Sequence, residues 1–352
     1  MQMIPSKLIL NTGETFDGLS PSWQNKEFFG EIVFTTGMSG YVETLTDPSF
    51  CDQIIVFTYP LIGNYGVPQS NYWESSKIHA AGVVISEPCL YPSHFESSMS
   101  LLDWLKSQNV PLISHVDTRA ITKRLRSQGV TLAAICHNEP LCSSFFDPNQ
   151  THLVQKVSCQ KITSFGNKGK KIIAIDCGMK ENIMRHLNRY NGEIVRVPYN
   201  YDFTHEHFDG VFVSNGPGDP SYCKETISIL RKVLQLKKPT FGICLGSQLM
   251  ALAIQAQTYK LTFGHRGQNQ PCLNLIDKKA YLTSQNHGWA IDESTLPDDW
   301  SVYFRNINDG SVEGIIHKQD PFFAVQFHPE SNPGPQDTAF LFEKFFKMVD
   351  LA

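Results

Sequence analysis

Hydrophobic and polar positions follow two rhythms along this chain, and the change falls near residue 170. In the first half, short β-branched and aromatic runs sit between turn residues, and residues 7–10, 31–35, 53–58 and 81–86 are predicted strands. Two stretches repeat at helical spacing instead. Residues 99–107 place Leu101, Leu102 and Leu105 on one side, and residues 119–127 do the same with Ile121 and Leu125. The charges Lys123, Arg124 and Arg126 on that second stretch read as a solvated face in preference to an anion site.

After residue 170 strands and helices alternate. An apolar strand at 172–176 precedes a helix at 181–190 carrying Ile183, Met184 and Leu187. Strands at 193–197 and 210–214 follow. Asp219-Pro220 reads as an N-cap with proline at the first helical position, opening a helix through Ile229, Leu230, Val233 and Leu234. A strand at 240–243 runs at once into an apolar helix at 248–254. Such alternation predicts a parallel sheet covered on both faces, with its site beyond the carboxyl ends of the strands. The polar, Gly/Lys-rich stretch 158–170 reads as a linker, so the expected domains are 1–157 and 171–352.

Composition narrows the classes. The 352 residues suffice for two cores, and a net charge of −4 offers no basic excess for nucleic acid. No apolar run approaches the roughly 18 residues that span a bilayer. The first residues lack a basic segment, apolar core and cleavage site, so no secretory signal is expected. Nine cysteines without a CxxC pair argue against a zinc or redox motif and fit a cytoplasmic setting.

One cysteine has a local sequence of its own. Phe241-Gly242-Ile243-Cys244-Leu245-Gly246-Ser247-Gln248 stands at a strand-to-helix junction in the Gly-x-nucleophile-x-Gly form of a nucleophile elbow. A tight turn there leaves no room for a Cβ at either flank, and the helix N-terminus favours a thiolate. The Leu245 N–H can face a developing oxyanion. Alone, this stretch is equally a buried cysteine in a glycine-rich turn. Phe323-Ala324-Val325-Gln326-Phe327-His328-Pro329-Glu330 supplies what a cysteine nucleophile needs, a base in His328 and a carboxylate in Glu330 to orient it. Alone, it is an ordinary strand exit. Ser214-Asn215-Gly216-Pro217-Gly218-Asp219-Pro220 is a further turn after a strand, in which Gly216 is placed to donate a second oxyanion bond.

Together and in this order, these motifs resemble the class I (triad) glutamine amidotransferases over residues 171–347. The first half resembles the small subunit of carbamoyl phosphate synthetase in Gly37-Met38-Ser39-Gly40-Tyr41, in Gly63-Asn64-Tyr65-Gly66 and in His115-Val116-Asp117-Thr118-Arg119. Ser284-Gln285-Asn286-His287-Gly288 in the second half matches the same family. The resemblance implies a doubly wound α/β glutaminase domain behind a smaller α+β domain. It implies Cys244, His328 and Glu330 as catalytic residues. The implied pocket for L-glutamine is Ser49, Gly216, Gly218, Leu245, Gln248, Asn286, Gly288 and Trp289.

Trp289 stands where the family usually has Phe, and Gln270 where it tends to have His. The stretch around Gln270, 264–271, is expected to be a loop that supports the site or an interface without performing catalysis. The implied reaction is glutamine hydrolysis, with ammonia passed to a large synthetase subunit in a heterodimer, higher assemblies left open. That subunit makes carbamoyl phosphate, for pyrimidine and arginine synthesis. No metal or cofactor is expected here. ATP and a divalent metal belong to the partner, because this chain has no phosphate-binding Gly-x-x-x-x-Gly-Lys-[Ser/Thr] loop. Two rivals stay open: a glutaminase for another acceptor, as in anthranilate synthase, and a regulatory subunit whose cysteine does not turn over.

Overall fold

The computed structural model describes residues 2–24, 26–137, 145–166 and 169–352. It forms two compact units, Met1–Thr151 and His152–Ala352. Among the described residues no helix is long and apolar enough to cross a membrane.

The first unit is built on one mixed sheet. In chain order its elements are β1 (Met3–Leu10), β2 (Thr15–Pro21), β3 (Phe28–Thr35), α1 (Tyr41–Thr46), β4 (Gln53–Phe57), β5 (Leu61–Ile62), β6 (Gly82–Val84), β7 (Glu87–Pro88), α2 (Leu101–Ser107), β8 (Leu112–Ile113), α3 (Thr118–Gln128) and β9 (Thr131–Cys136). The seven-stranded order is β2-β1-β9-β3-β4-β6-β8, and β5 pairs with β7 apart from it. Strands β3, β4, β6 and β8 run parallel, so helical crossovers cover that part. Val33, Ile55 and Val83 from the sheet share a core with Tyr41, Leu45 and Trp104 from the helices.

The helices end where their side chains dictate. Ser100 caps α2 by accepting from the Asp103 N–H, and Asp117 caps α3 through the Ala120 N–H at 2.8 Å. The expected solvated face holds: Lys123 and Arg126 are exposed, while Arg124 pairs with Glu14 at 2.6 Å. The His115–Arg119 stretch and the strand ends before it line a cleft of about 530 Å³.

The second unit contains α4 (Val154–Val157), β10 (Thr163–Phe165), β11 (Lys171–Asp176), α5 (Glu181–Leu187), β12 (Glu193–Pro198), β13 (Gly210–Val213), α6 (Lys224–Gln235), β14 (Thr240–Ile243), α7 (Leu245–Ala253), β15 (Thr258–Asn274), β16 (Ala280–Ile291), β17 (Trp300–Asn306), β18 (Val312–His317), β19 (Phe322–Val325) and α8 (Phe340–Leu351). Its ten strands run β10-β12-β11-β13-β14-β19-β18-β16-β15-β17. The parallel strands β12-β11-β13-β14-β19 have the doubly wound order 2-1-3-4-5. Their carboxyl ends therefore share one edge, where the chain leaves β13 for Gly216 and β14 for Cys244. Phe212, Phe241 and Phe323 of the sheet meet Phe342 and Phe345 of α8 on one face. Helix α7 fills the other, buried almost all round, as a uniformly apolar helix must be.

Three expectations are corrected. The stretch 158–170 is not a tether. Just before it, Val154 of α4 enters the core of the second unit, and within it β10 pairs antiparallel with β12. Its polar composition reflects an exposed edge strand; Asn167 and Lys168 of that stretch lie outside the described residues. Asp219 caps a short 3-10 turn, Pro220–Tyr222, and α6 starts only at Lys224. The stretch 264–271 is no loop but the middle of β15, with register shifts absorbing its glycines.

Burial on α6 sets a measurable contrast. Leu230 is fully buried, and Leu230→Ala is expected to cost about 2–5 kcal/mol in denaturant unfolding. Lys123→Ala, on the exposed face of α3, should stay within about 0.5 kcal/mol of wild type.

Candidate active site

Cys244 joins β14 to α7 with a backbone that few residues other than glycine adopt, φ 53° and ψ −107°. The strain is held by neighbours on both sides. Its N–H extends the β14–β19 ladder to the Val325 carbonyl at 2.8 Å. A Cβ on Gly246 would lie 2.3 Å from the Val213 carbonyl oxygen, and one on Gly242 would lie 2.8 Å from the Gly246 backbone. Both flanks must be glycine for the turn to close, and the turn lifts the sulfur off the strand ends. The first N–H groups of α7 have no carbonyl a turn earlier to bind, so they and the helix dipole face this edge.

His328, the expected base, stands beyond the end of the neighbouring strand. The His328 N–H bonds the Ser284 carbonyl at 2.8 Å, which fixes the backbone, and its Nδ1 lies 2.6 Å from Glu330 Oε1. A carboxylate can only accept here, so Nδ1 carries the proton and Nε2 is left for chemistry. Nε2 is buried and has no hydrogen-bond partner among the described residues, though Cys244 is close enough to act on the ring's charge. Burial pushes the imidazole toward its neutral form. The Glu330 carboxylate and Cys244 outweigh that and raise its pKa to about 10. Glu330 is penalised by burial too, but the Lys180 ammonium and His328 hold its pKa at about 2.

Lys180 was not legible in the sequence. It follows β11, is itself buried, and places Nζ 3.1 Å from the same Glu330 oxygen that meets His328. Asn182 donates to the Glu330 carbonyl, and the Lys180 ammonium donates to that of Ser331. Gln326 was missed as well. Its Nε2 points at the sulfur from 3.7 Å, and its Oε1 accepts from Gln248 Nε2 at 3.1 Å. A glutamine just after a buried apolar strand and two residues ahead of His328 is the available signal.

Of the remaining expected residues, Asn286, Gln248 and Gly216 lie nearest the elbow. The Asn286 carbonyl oxygen lies 3.6 Å from Sγ. Gln248 spends its amide on the Trp289 carbonyl, at 3.0 Å, as well as on Gln326. A Cβ on Gly216 would lie 2.1 Å from the Cys177 carbonyl and 2.7 Å from the Leu245 side chain, so that backbone runs directly beside the elbow. Gly218 has φ 86° and faces Leu153, and Gly288 faces the Arg266 guanidinium. Gly216, Gly218, Asn286, Gly288 and Trp289 are only partly buried, whereas Leu245 and Gln248 are buried beneath them. The open side of the site is therefore backbone-rich. Ser49 belongs to the first unit, on the short turn Pro48–Phe50, where its N–H bonds Asp47 Oδ1 at 2.8 Å. Gln270 binds Asn308 through its side chain and Thr283 through its carbonyl, and so serves the β15–β16 pairing.

Comparison with known families follows the same division. Residues 8–135 match the carbamoyl-phosphate synthase small chain, CPSase domain, and residues 173–348 match glutamine amidotransferase class-I. The chain is similar to the carbamoyl phosphate synthase arginine-specific small chain of Neurospora crassa, 45% identical over 97% of this chain and 79% of that one. The protein of that name from Aspergillus oryzae is 48% identical over 91% of this chain and 75% of that one. It is also 46% identical to the multifunctional protein CAD of Squalus acanthias, over 97% of this chain but only 16% of that longer protein. With its first unit matching one model and its second the other, the chain belongs to the carbamoyl phosphate synthase small-chain family and carries a class I glutamine amidotransferase domain.

Proposed function

We propose that this chain is the glutaminase subunit of a glutamine-dependent carbamoyl phosphate synthase, with Cys244, His328 and Glu330 as its catalytic residues. The observation that carries the reading is a strained elbow cysteine beside an imidazole whose Nδ1 is fixed on Glu330 and whose charge Cys244 helps to stabilise. Sγ adds to the side-chain amide carbon of L-glutamine with its proton already held on His328 Nε2, in the imidazolium that Glu330 stabilises. The negative oxygen forms against the N–H groups of Leu245 and Gly216. Collapse breaks the C–N bond, and His328 returns the proton to the departing ammonia. Water then attacks the thioester, releasing glutamate and restoring the thiol.

To binding of the substrate's amino-acid end we assign Gly216, Gly218, Leu245, Gln248, Asn286, Gly288 and Trp289 of the second unit and, by the family resemblance, Ser49 of the first. Trp289 departs from the usual Phe in its side chain, while its carbonyl keeps the bond to Gln248. Ammonia passes to a large synthetase subunit, paired with this chain as a heterodimer in the cytoplasm. That partner supplies the ATP and divalent-metal chemistry that turns bicarbonate and ammonia into carbamoyl phosphate for pyrimidine and arginine synthesis. This chain needs no cofactor for its own half of the work.

The division of labour is tested in the assembled enzyme. Cys244→Ser should lower glutamine-dependent synthesis at least about a thousandfold while synthesis from free ammonia stays close to wild type. Loss of both would refute the assignment. Ammonia release that ignores the synthetase subunit would point to another acceptor. Glu330→Gln should keep the fold and glutamine KM but cut kcat about 10²–10⁴-fold, because the imidazole loses its orienting charge.

Stability should also report the His328–Glu330 pair. The folded pKa of His328, about 10, lies above its ordinary 6.5, so its contribution is complete below pH 6.5 and fades as pH rises toward 10. That of Glu330, about 2, lies below its ordinary 4.5, so its contribution fades as pH falls from 4.5 toward 2. The melting-temperature gap between wild type and His328→Asn should therefore narrow from pH 6 to pH 10. A constant gap would show that the pair is not ionised in the folded chain.

A further inference from the structure

Behind the pocket wall, β15, β16 and β18 bring together three buried side chains that the proposed chemistry does not use: His265, His287 and Glu313. Their outer contacts fix how each ring is protonated. His265 Nε2 lies 2.8 Å from Asp309 Oδ2, and His287 Nδ1 lies 2.8 Å from the Trp289 carbonyl. Both partners only accept, so each of these nitrogens carries the proton and each opposite nitrogen presents a lone pair.

Those lone pairs face one another. His265 Nδ1 is 3.2 Å from His287 Nε2 and 3.1 Å from Glu313 Oε1, and His287 Nε2 is 3.8 Å from that oxygen. Gln285 Oε1 adds a fourth acceptor, 3.0 Å from His287 Nε2, its own amide nitrogen being engaged with Thr283 and Cys272. Asn306 Nδ2 donates to Glu313 Oε1 at 3.1 Å and lies 3.5 Å from His265 Nδ1, but it reaches neither His287 Nε2 nor the second Glu313 oxygen. The second Glu313 oxygen is buried with no hydrogen-bond partner among the described residues. Four converging acceptors in a dry site repel one another unless a cation lies among them.

From this geometry we infer a divalent-cation site of the zinc class, liganded by His265 Nδ1, His287 Nε2 and Glu313, with Gln285 Oε1 at the fourth corner. Four ligands about 2.05 Å from a tetrahedral ion stand roughly 3.3 Å apart, close to the separations found here. Asp309 behind His265 and the Trp289 carbonyl behind His287 are the outer partners that ligating imidazoles need. One ligand carboxylate with Asp309 also balances a doubly positive ion. The ion would lock three antiparallel strands together. His287 lies between Asn286 and Trp289, and the Glu313 carbonyl accepts the Gln326 N–H at 2.9 Å, so the lock would stiffen the wall beside Cys244.

The full chain, purified without the synthetase subunit, is stripped with chelator and titrated with Co²⁺, with Zn²⁺ added in parallel melts. About one Co²⁺ per chain should bind, with the visible absorption of a four-coordinate ion ligated by N and O, and Zn²⁺ should raise the melting temperature. Asp309→Asn, a mild change at a half-exposed carboxylate, should weaken Co²⁺ binding about 10–100-fold without unfolding the chain. His265→Asn and Glu313→Gln should abolish the four-coordinate spectrum. A cooperatively folded wild type that shows neither the spectrum nor a Zn²⁺-dependent melt would overturn the site and leave a proton on His265 as the cation. Glutamine hydrolysis by the assembled enzyme is scored separately, so failure of this site leaves the proposed function standing.

Discussion

A carboxylate with no exposed surface organises the second unit's site. Glu330 places one oxygen within 3.1 Å of both a lysine ammonium and an imidazole, joining the chain after β11 to the chain after β19. Burying that charge is costly unless the cations stay in place, so the ionised carboxylate constrains both. Remove either partner and the remaining charge is stranded in a dry setting. The position of His328 is thus tied to the packing of the sheet edge and not to its rotamer alone.

Sheet topology supplies the remaining order. Because β11, β13, β14 and β19 are parallel, the residues that follow them emerge on the same edge: Lys180, Gly216, Cys244 and His328. The antiparallel wing contributes from the side, through backbone carbonyls of Asn286 and Trp289. This split explains why the wing can carry an unusual side chain at 289. Its contact with Gln248 is made by backbone.

Local signals were legible and distributed ones were not. The elbow could be read because its two glycines and cysteine stand within five residues, and the His328–Glu330 pair because it spans three. Parallel strands with β-branched runs were found nearly to the residue. Lys180 gives no such signal and Gln326 only its place two residues before His328, since each acquires its role from partners distant along the chain. Glycines and polar side chains at 264–271 break the alternation and make the middle of the 17-residue β15 look like a loop, while its bulges keep the pairing regardless. His265, His287 and Glu313 lie 22 and 48 residues apart along the chain, with no spacing that marks a ligand set.

The incorporation of residues 152–165 into the second unit bears on how the glutaminase half can be separated. A fragment beginning at 171 would lose β10 and uncover the hydrogen-bonding edge of β12, an open template for pairing with other chains. It would also lose Leu153, which packs against Gly218, two residues from Gly216 beside the elbow. Self-association and a slackened loop would then arrive together, and low activity in such a fragment would say little about the triad.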